Sequence, residues 1–146
     1  MLAAVVLSAC THAPPDATPE GAVREWLGHM AASIDDSRET KAAYELMGPA
    51  SRANLEERAS RASQVEGRRV EPHEMLAHGH FGLRFRPRKV HATIDTEGAA
   101  VEITGADPQE RAQLRCVRGV AGSGASVWRV EPDLPEPQIL VKRDSG

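Results

Sequence analysis

The chain has 146 residues, a formal net charge of −3 and 3% aromatic residues. A negative balance and so few rings argue against nucleic acid as a partner, because polyanion binding needs basic surface and base recognition needs stacking platforms. Cys10 and Cys116 are the two cysteines, so one intramolecular disulfide is the most the chain can form.

The chain opens on an apolar stretch from Met1 to Ala9 and then turns into prolines and small polar residues. A bilayer-spanning helix needs about 20 apolar residues, so this stretch is too short to cross, and its unbroken apolar run offers no polar face for a surface helix. It reads as the hydrophobic region of a signal peptide, residues 1–9. No Lys or Arg precedes it, and the alternatives are a signal without lipidation or a buried amino-terminal strand with Cys10 as an ordinary thiol. Leu7-Ser8-Ala9-Cys10 resembles the lipobox of bacterial lipoproteins. The resemblance implies cleavage before Cys10, acylation of its thiol and of the new amino terminus, and anchoring to the cell-envelope membrane. Several acyl chains on one residue hold a protein durably where one holds it marginally. Thr11 stands where an Asp would favour inner-membrane retention, which implies the outer membrane, facing the periplasm. With Cys10 lipidated, no intramolecular disulfide forms.

Residues 10–18 read as an extended, proline-rich tether. Roughly 120 residues follow, enough for one domain that buries about two-thirds of its unfolded surface. Thr18-Pro19-Glu20 predicts a helix start: a capping hydroxyl, a proline in the first turn and an acid beside the positive end of the helix dipole. Val23, Trp26, Leu27, Met30, Ala31 and Ile34 recur at spacings of three and four and predict one buried face. Asp35-Asp36-Ser37 supplies a turn and an N-cap for a second helix marked by Ala42, Ala43, Leu46 and Met47 and stopped at Gly48-Pro49. A third helix, about Ser51 to Val65, carries Leu55, Ala59 and Ala62 on a thin apolar side and a Glu57–Arg61 pair on another.

Beyond Gly67 the pattern changes to alternation. Val90, Ala92 and Ile94, then Val101 and Ile103, then Ala112, Leu114 and Cys116, then Trp128 and Val130 predict four strands, with Val127 on the opposite face from Trp128. "GVAGSGAS" has the glycines of a phosphate-cradling loop but lacks the following helix, and reads as a hairpin connection. Helices first and then consecutive strands predict an α+β domain over residues 19–132, with three amino-terminal helices on a curved, mostly antiparallel sheet of about four strands. Residues 133–146 read as an edge segment fraying into a tail.

This order, with Pro19-Glu20 opening the first helix, Ala42-Ala43-Tyr44-Glu45-Leu46-Met47 before Gly48-Pro49, and Val127-Trp128-Arg129-Val130 near the end, resembles the nuclear-transport-factor-2-like (SnoaL-like) cone-shaped fold, a cystatin-like α+β superfold. More narrowly it is similar to bacterial lipoproteins built on that fold. The resemblance implies a pocket between sheet and helices, and relatives that include isomerases, dehydratases and non-catalytic binding modules, so the fold leaves function open. It also implies a possible homodimer through the sheet face.

Candidate pocket or ligand residues are few. Tyr44, the sole tyrosine, can donate a hydrogen bond to a ligand carbonyl, or simply pack its ring with its hydroxyl wet. "PHEMLAHGH" gathers His73, Glu74, His78 and His80. On a helix Glu74 and His78 share a face suited to zinc, but the spacing is not that of the zinc proteases, and surface histidines beside a turn are the simpler reading. Arg84, Arg86 and Arg88 alternate with Leu83 and Phe85, so in a strand the guanidiniums form a row able to grip phosphates or carboxylates of an envelope ligand, or a solvated outer face. Cys116 reads as a small buried side chain. No catalytic residue, cofactor or metal is assigned. The sequence predicts a lipid-anchored, non-catalytic binding module, with a pocket enzyme or small-molecule binder as the alternative.

Overall fold

A computed structural model describes residues 12–77 and 83–134. Among them are helices α1 (Pro19–Ala32), α2 (Arg38–Glu45), α3 (Pro49–Glu66) and α4 (Glu74–Ala77), then strands β1 (Lys89–Ile94), β2 (Ala99–Thr104), β3 (Arg111–Val120) and β4 (Ser126–Glu131). The strands form one antiparallel sheet in the order β1-β2-β3-β4. The domain is therefore α+β, with a short fourth helix that the hydrophobic periodicity does not announce.

Helix α1 starts as its residues dictate. The Thr18 hydroxyl accepts from the Gly21 N–H at 3.1 Å, with Pro19 at the first helical position and Glu20 in the first turn. Ala22, Val23, Trp26 and Met30 are buried against the sheet, whose apolar face presents Ala99, Val101, Ile103, Cys116, Trp128 and Val130. Ile34 departs from the expectation: α1 ends at Ala32, and Ile34 is 84% exposed in the turn beyond it. The segment read as an extended tether is partly folded. Pro15–Ala17 make one 3-10 turn packed on α1 and β4, pinned where Arg129 Nη1 donates to Asp16 Oδ2 at 2.6 Å. Gly21 makes the close approach possible, because a Cβ there would run into the Pro15 carbonyl.

Ser37 does not cap α2 with its side chain. Asp36 takes that part, accepting from the Arg38 N–H at 2.9 Å. The chain leaves α2 at Leu46 and Met47 lies beside Val130 in a parallel bridge, with Gly48 N–H donating to Val130 O and Val130 N–H to Leu46 O, both at 2.8 Å. This covers the edge of β4, which would otherwise offer unpaired backbone groups. At the other edge, the Ala92 N–H donates to Glu20 Oε1 at 3.1 Å. Helix α3 starts at Pro49, two residues earlier than predicted, and ends where Gly67 takes φ +67°, the left-handed conformation glycine adopts freely. Its buried face is Ser51, Leu55 and Ala59.

The strand parity matches the expected one. Ala92, Val101 and Leu114 lie opposite one another, as do Val90, Ile103 and Ala112. Val127 lies on the face opposite Trp128, and both are buried. "GVAGSGAS" does form the β3–β4 hairpin, its turn closed by Ala121 N–H to Ala125 O at 2.9 Å with Gly124 at φ +84°.

Candidate functional site

Helix α1, the segment leading into β1 and the start of β1 itself enclose a groove of about 420 Å³ lined mainly by carbon. Its walls are Leu27, Met30, Ala31 and Ile34 from α1 and the turn after it, Leu83 and Phe85 from the facing segment, and Val90 from β1. That volume falls in the range of small-molecule sites, about 300–1,000 Å³. Arg24 is the one ionisable side chain among its described lining residues. Gly28 also lines it, and a Cβ built there meets nothing within 4 Å, so the groove is open at that point of the helix.

The segment before β1 corrects one expectation. Arg84, Arg86 and Arg88 are not in a strand: β1 begins at Lys89, and Pro87 carries no N–H with which to extend the ladder. The alternation survives without the strand. All three arginines are exposed, while Leu83 and Phe85 between them are half-buried, line the groove and pack against the core. The three arginines thus belong to the segment that precedes the sheet, not to a strand of it.

Tyr44 does not line this groove. Its hydroxyl donates to Glu56 Oε1 at 3.0 Å and its ring lies 5.2 Å from the Arg52 guanidinium, so it joins α2 to α3. Burial, reinforced by the Glu56 carboxylate, pushes its pKa up, and the phenol is neutral at physiological pH. Arg52 also donates from Nε to Met47 O at 2.9 Å, holding a carbonyl at the exit of α2.

His73 is half-buried just before α4. Glu74 opens α4 and accepts from the Glu71 N–H at 2.6 Å and from Arg68 Nη1 at 3.2 Å, which hold its carboxyl below the usual range, the backbone bond most strongly. These bonds tie down a loop and leave Glu74 engaged. His78 and His80 lie outside the described residues, as does Cys10. Among the described residues, no three His, Cys, Asp or Glu side chains are grouped to hold a metal, and no helix is long and apolar enough to cross a membrane.

Two features escaped the sequence reading. His29 stands between two carboxylates, with Nδ1 at 2.5 Å from Glu39 Oε2 and Nε2 at 3.5 Å from Glu25 Oε1. The Glu25–His29 spacing of four was visible in the sequence, but the contact with Glu39 needs the α1–α2 turn. Arg24 and Gly28 are not marked by the apolar periodicity of α1, since neither is an apolar side chain. A glycine inside a strongly periodic helix was the available signal. Cys116 is buried as expected, and burial pushes its thiol up to about 12, which leaves little thiolate near neutral pH.

The chain matches no protein-family profile, no curated protein and no solved structure.

Proposed function

We propose that this chain is a lipid-anchored protein of the bacterial cell envelope, held to the outer membrane by acylated Cys10, whose folded body binds a ligand and does not transform it. The observation that carries the binding half is the composition of the α1 groove: apolar walls with a single guanidinium, Arg24, at the edge. Such a lining shelters carbon chains from water. Proton transfer would need a paired acid and base converging on one point, and the described lining supplies one permanent cation. Among the described residues, the buried polar side chains Thr40 and Ser51 serve the fold instead: Thr40 donates to Ser37 O at 2.7 Å, and Ser51 is bonded to Glu131.

Helices followed by an antiparallel meander, with α1 laid on the apolar face of the sheet, support the cone-shaped, nuclear-transport-factor-2-like reading. Leu7-Ser8-Ala9-Cys10 supports the anchor. Labelling cells with palmitate and fractionating membranes tests it on the wild-type chain and Cys10→Ser. The expected result is that the variant loses both label and membrane association. A variant that keeps both overturns the anchoring.

A further inference from the structure

We infer that the α1 groove is a site for a single-chain amphiphile with a carboxylate head, a fatty acid, whose head pairs with Arg24 and whose tail lies along Leu27, Ala31 and Ile34. This rests on the binding reading above and names the ligand class. Arg24, Leu27 and Ala31 recur at helical spacing and so lie along one side of α1, with Ile34 continuing past its end. From Arg24 to Ile34 the line runs about 15 Å, the span of a medium-length acyl chain. The cation stands at one end and the far end is entirely apolar. That is the polarity of a fatty acid laid lengthwise.

Charge complementarity selects the head. Among the described residues the side chains of Arg24 and Arg86 make no hydrogen bond or ion pair. Arg84, Arg86 and Arg88 are exposed and alternate in sequence with Leu83, Phe85 and Pro87 of the opposite wall. A chain of net charge −3 thus places a guanidinium, Arg24, and no acidic group among the described lining residues of this apolar recess. A guanidinium is permanently charged and meets a carboxylate through two parallel N–H bonds.

The floor gives an independent reason. Gly28 sits inside a 14-residue helix, where glycine is less stable than alanine. Nothing packs where its side chain would be, so no close approach calls for glycine. What its missing side chain does is leave the groove unobstructed. Ile34, 84% exposed at the far end, adds apolar surface that a bound tail would cover.

The test is titration of the full chain carrying Cys10→Ser, so that no acyl group of its own competes, with monomeric dodecanoic acid and with dodecanol. Saturable binding of one acid per chain is expected. Arg24→Ala should weaken the acid about tenfold, the worth of a charge-assisted hydrogen bond, and leave the alcohol unchanged. Gly28→Leu should weaken both at least tenfold while the helical circular dichroism and the melting temperature hold. Ile34→Asp, at an exposed position outside the helix, repeats the test without touching α1. No saturable binding, equal binding in all variants, or binding only to anionic phospholipid vesicles overturns the inference. So does binding of dodecanoic acid only once Leu140→Asp is introduced, which would mean that the carboxy-terminal segment fills the groove in the natural chain, or a dimer that takes up no dodecanoic acid, which would mean that a second copy covers it. Palmitate labelling is independent of all these outcomes, so failure of this ligand is distinguishable from failure of the anchor.

Discussion

The Glu131 carboxylate, at the end of the last strand, accepts from the Ser51 N–H at 2.8 Å in the first turn of α3, across 80 residues of sequence. It also accepts from the Ala50 N–H at 3.1 Å and from the Ser51 hydroxyl. Helix α3 begins at Gly48-Pro49 and has no capping side chain of its own. A strand residue therefore supplies the acceptor and the negative charge that the helix end requires. Glu131→Ala should lower stability by about 2 kcal/mol, in the range of a lost cap with charged hydrogen bonds. Glu131→Gln should cost less, since one amide oxygen still accepts. Urea unfolding of the two variants checks the order. Equal stability of Glu131→Ala and wild type would show that α3 starts without this contact.

Two glycines of α1 should respond with opposite signs to the same substitution. At Gly21 a methyl group meets the Pro15 carbonyl, which is backbone and cannot swing away, so Gly21→Ala should destabilise by about 2 kcal/mol, as overpacking does. At Gly28 the methyl group enters open space, and Gly28→Ala should stabilise by about 0.5–1 kcal/mol through helix propensity. Thermal melts of both variants decide this. If both rise, the Pro15–Ala17 turn is not seated on α1.

Asp95 and Arg115 give a pH dependence with a defined sign. Arg115 donates to both carboxylate oxygens of Asp95, at 2.9 and 3.0 Å, and the Glu97 and Gly98 N–H groups donate at 2.8 Å. Led by Arg115, these donors hold the Asp95 carboxyl at about 2, below its ordinary 3.8. A carboxyl depressed in the folded state stabilises it above the unfolded value, and that stabilisation is lost as pH falls from about 4 to about 2. Carboxyl-carbon NMR should find Asp95 titrating near 2, and Arg115→Met should move it back toward 3.8. An unchanged value in the variant would assign the depression to the backbone donors alone.

Most of the architecture was legible in the sequence because it rests on local rules. Thr18-Pro19-Glu20 is a helix start whatever surrounds it, and the parity of Val90, Ala92, Val101, Ile103, Leu114 and Cys116 follows from the period of a strand. What the sequence could not yield depends on partners far along the chain. Asp36 replaces Ser37 as cap because the turn presents its carboxylate to the Arg38 N–H. Ile34 sits outside because α1 ends two residues before it. Arg84, Arg86 and Arg88 carry the alternation of a strand in a segment that reaches β2 only at its end, where the Arg88 N–H donates to Thr104 O at 2.7 Å, since what alternates before it is contact with the groove, not a ladder. The groove itself was illegible. Leu27 and Ala31 share the spacing of the core residues, and only the packed sheet reveals that α1 has a second apolar side beside it.

Cys116 should be silent toward thiol reagents. With its pKa near 12 instead of 9.0, the buried thiol has about a thousandfold less thiolate at pH 8 than an unperturbed one. Its neutral form favours the folded state below about pH 9, and that contribution fades as pH climbs toward 12. Labelling with a disulfide-exchange reagent at pH 8 should be undetectable in the native chain and prompt in urea. Rapid labelling without denaturant would mean that the sheet opens at Ala99 and Cys116.

The central claim is that residues 1–9 are removed and that acyl chains on Cys10 hold the folded body at the envelope. Intact-mass spectrometry of the chain isolated from membranes of its native host tests this directly. The account predicts an amino terminus at Cys10 with the added mass of diacylglyceryl and an amide-linked acyl group. A chain that retains Met1 and carries an unmodified Cys10 would contradict it.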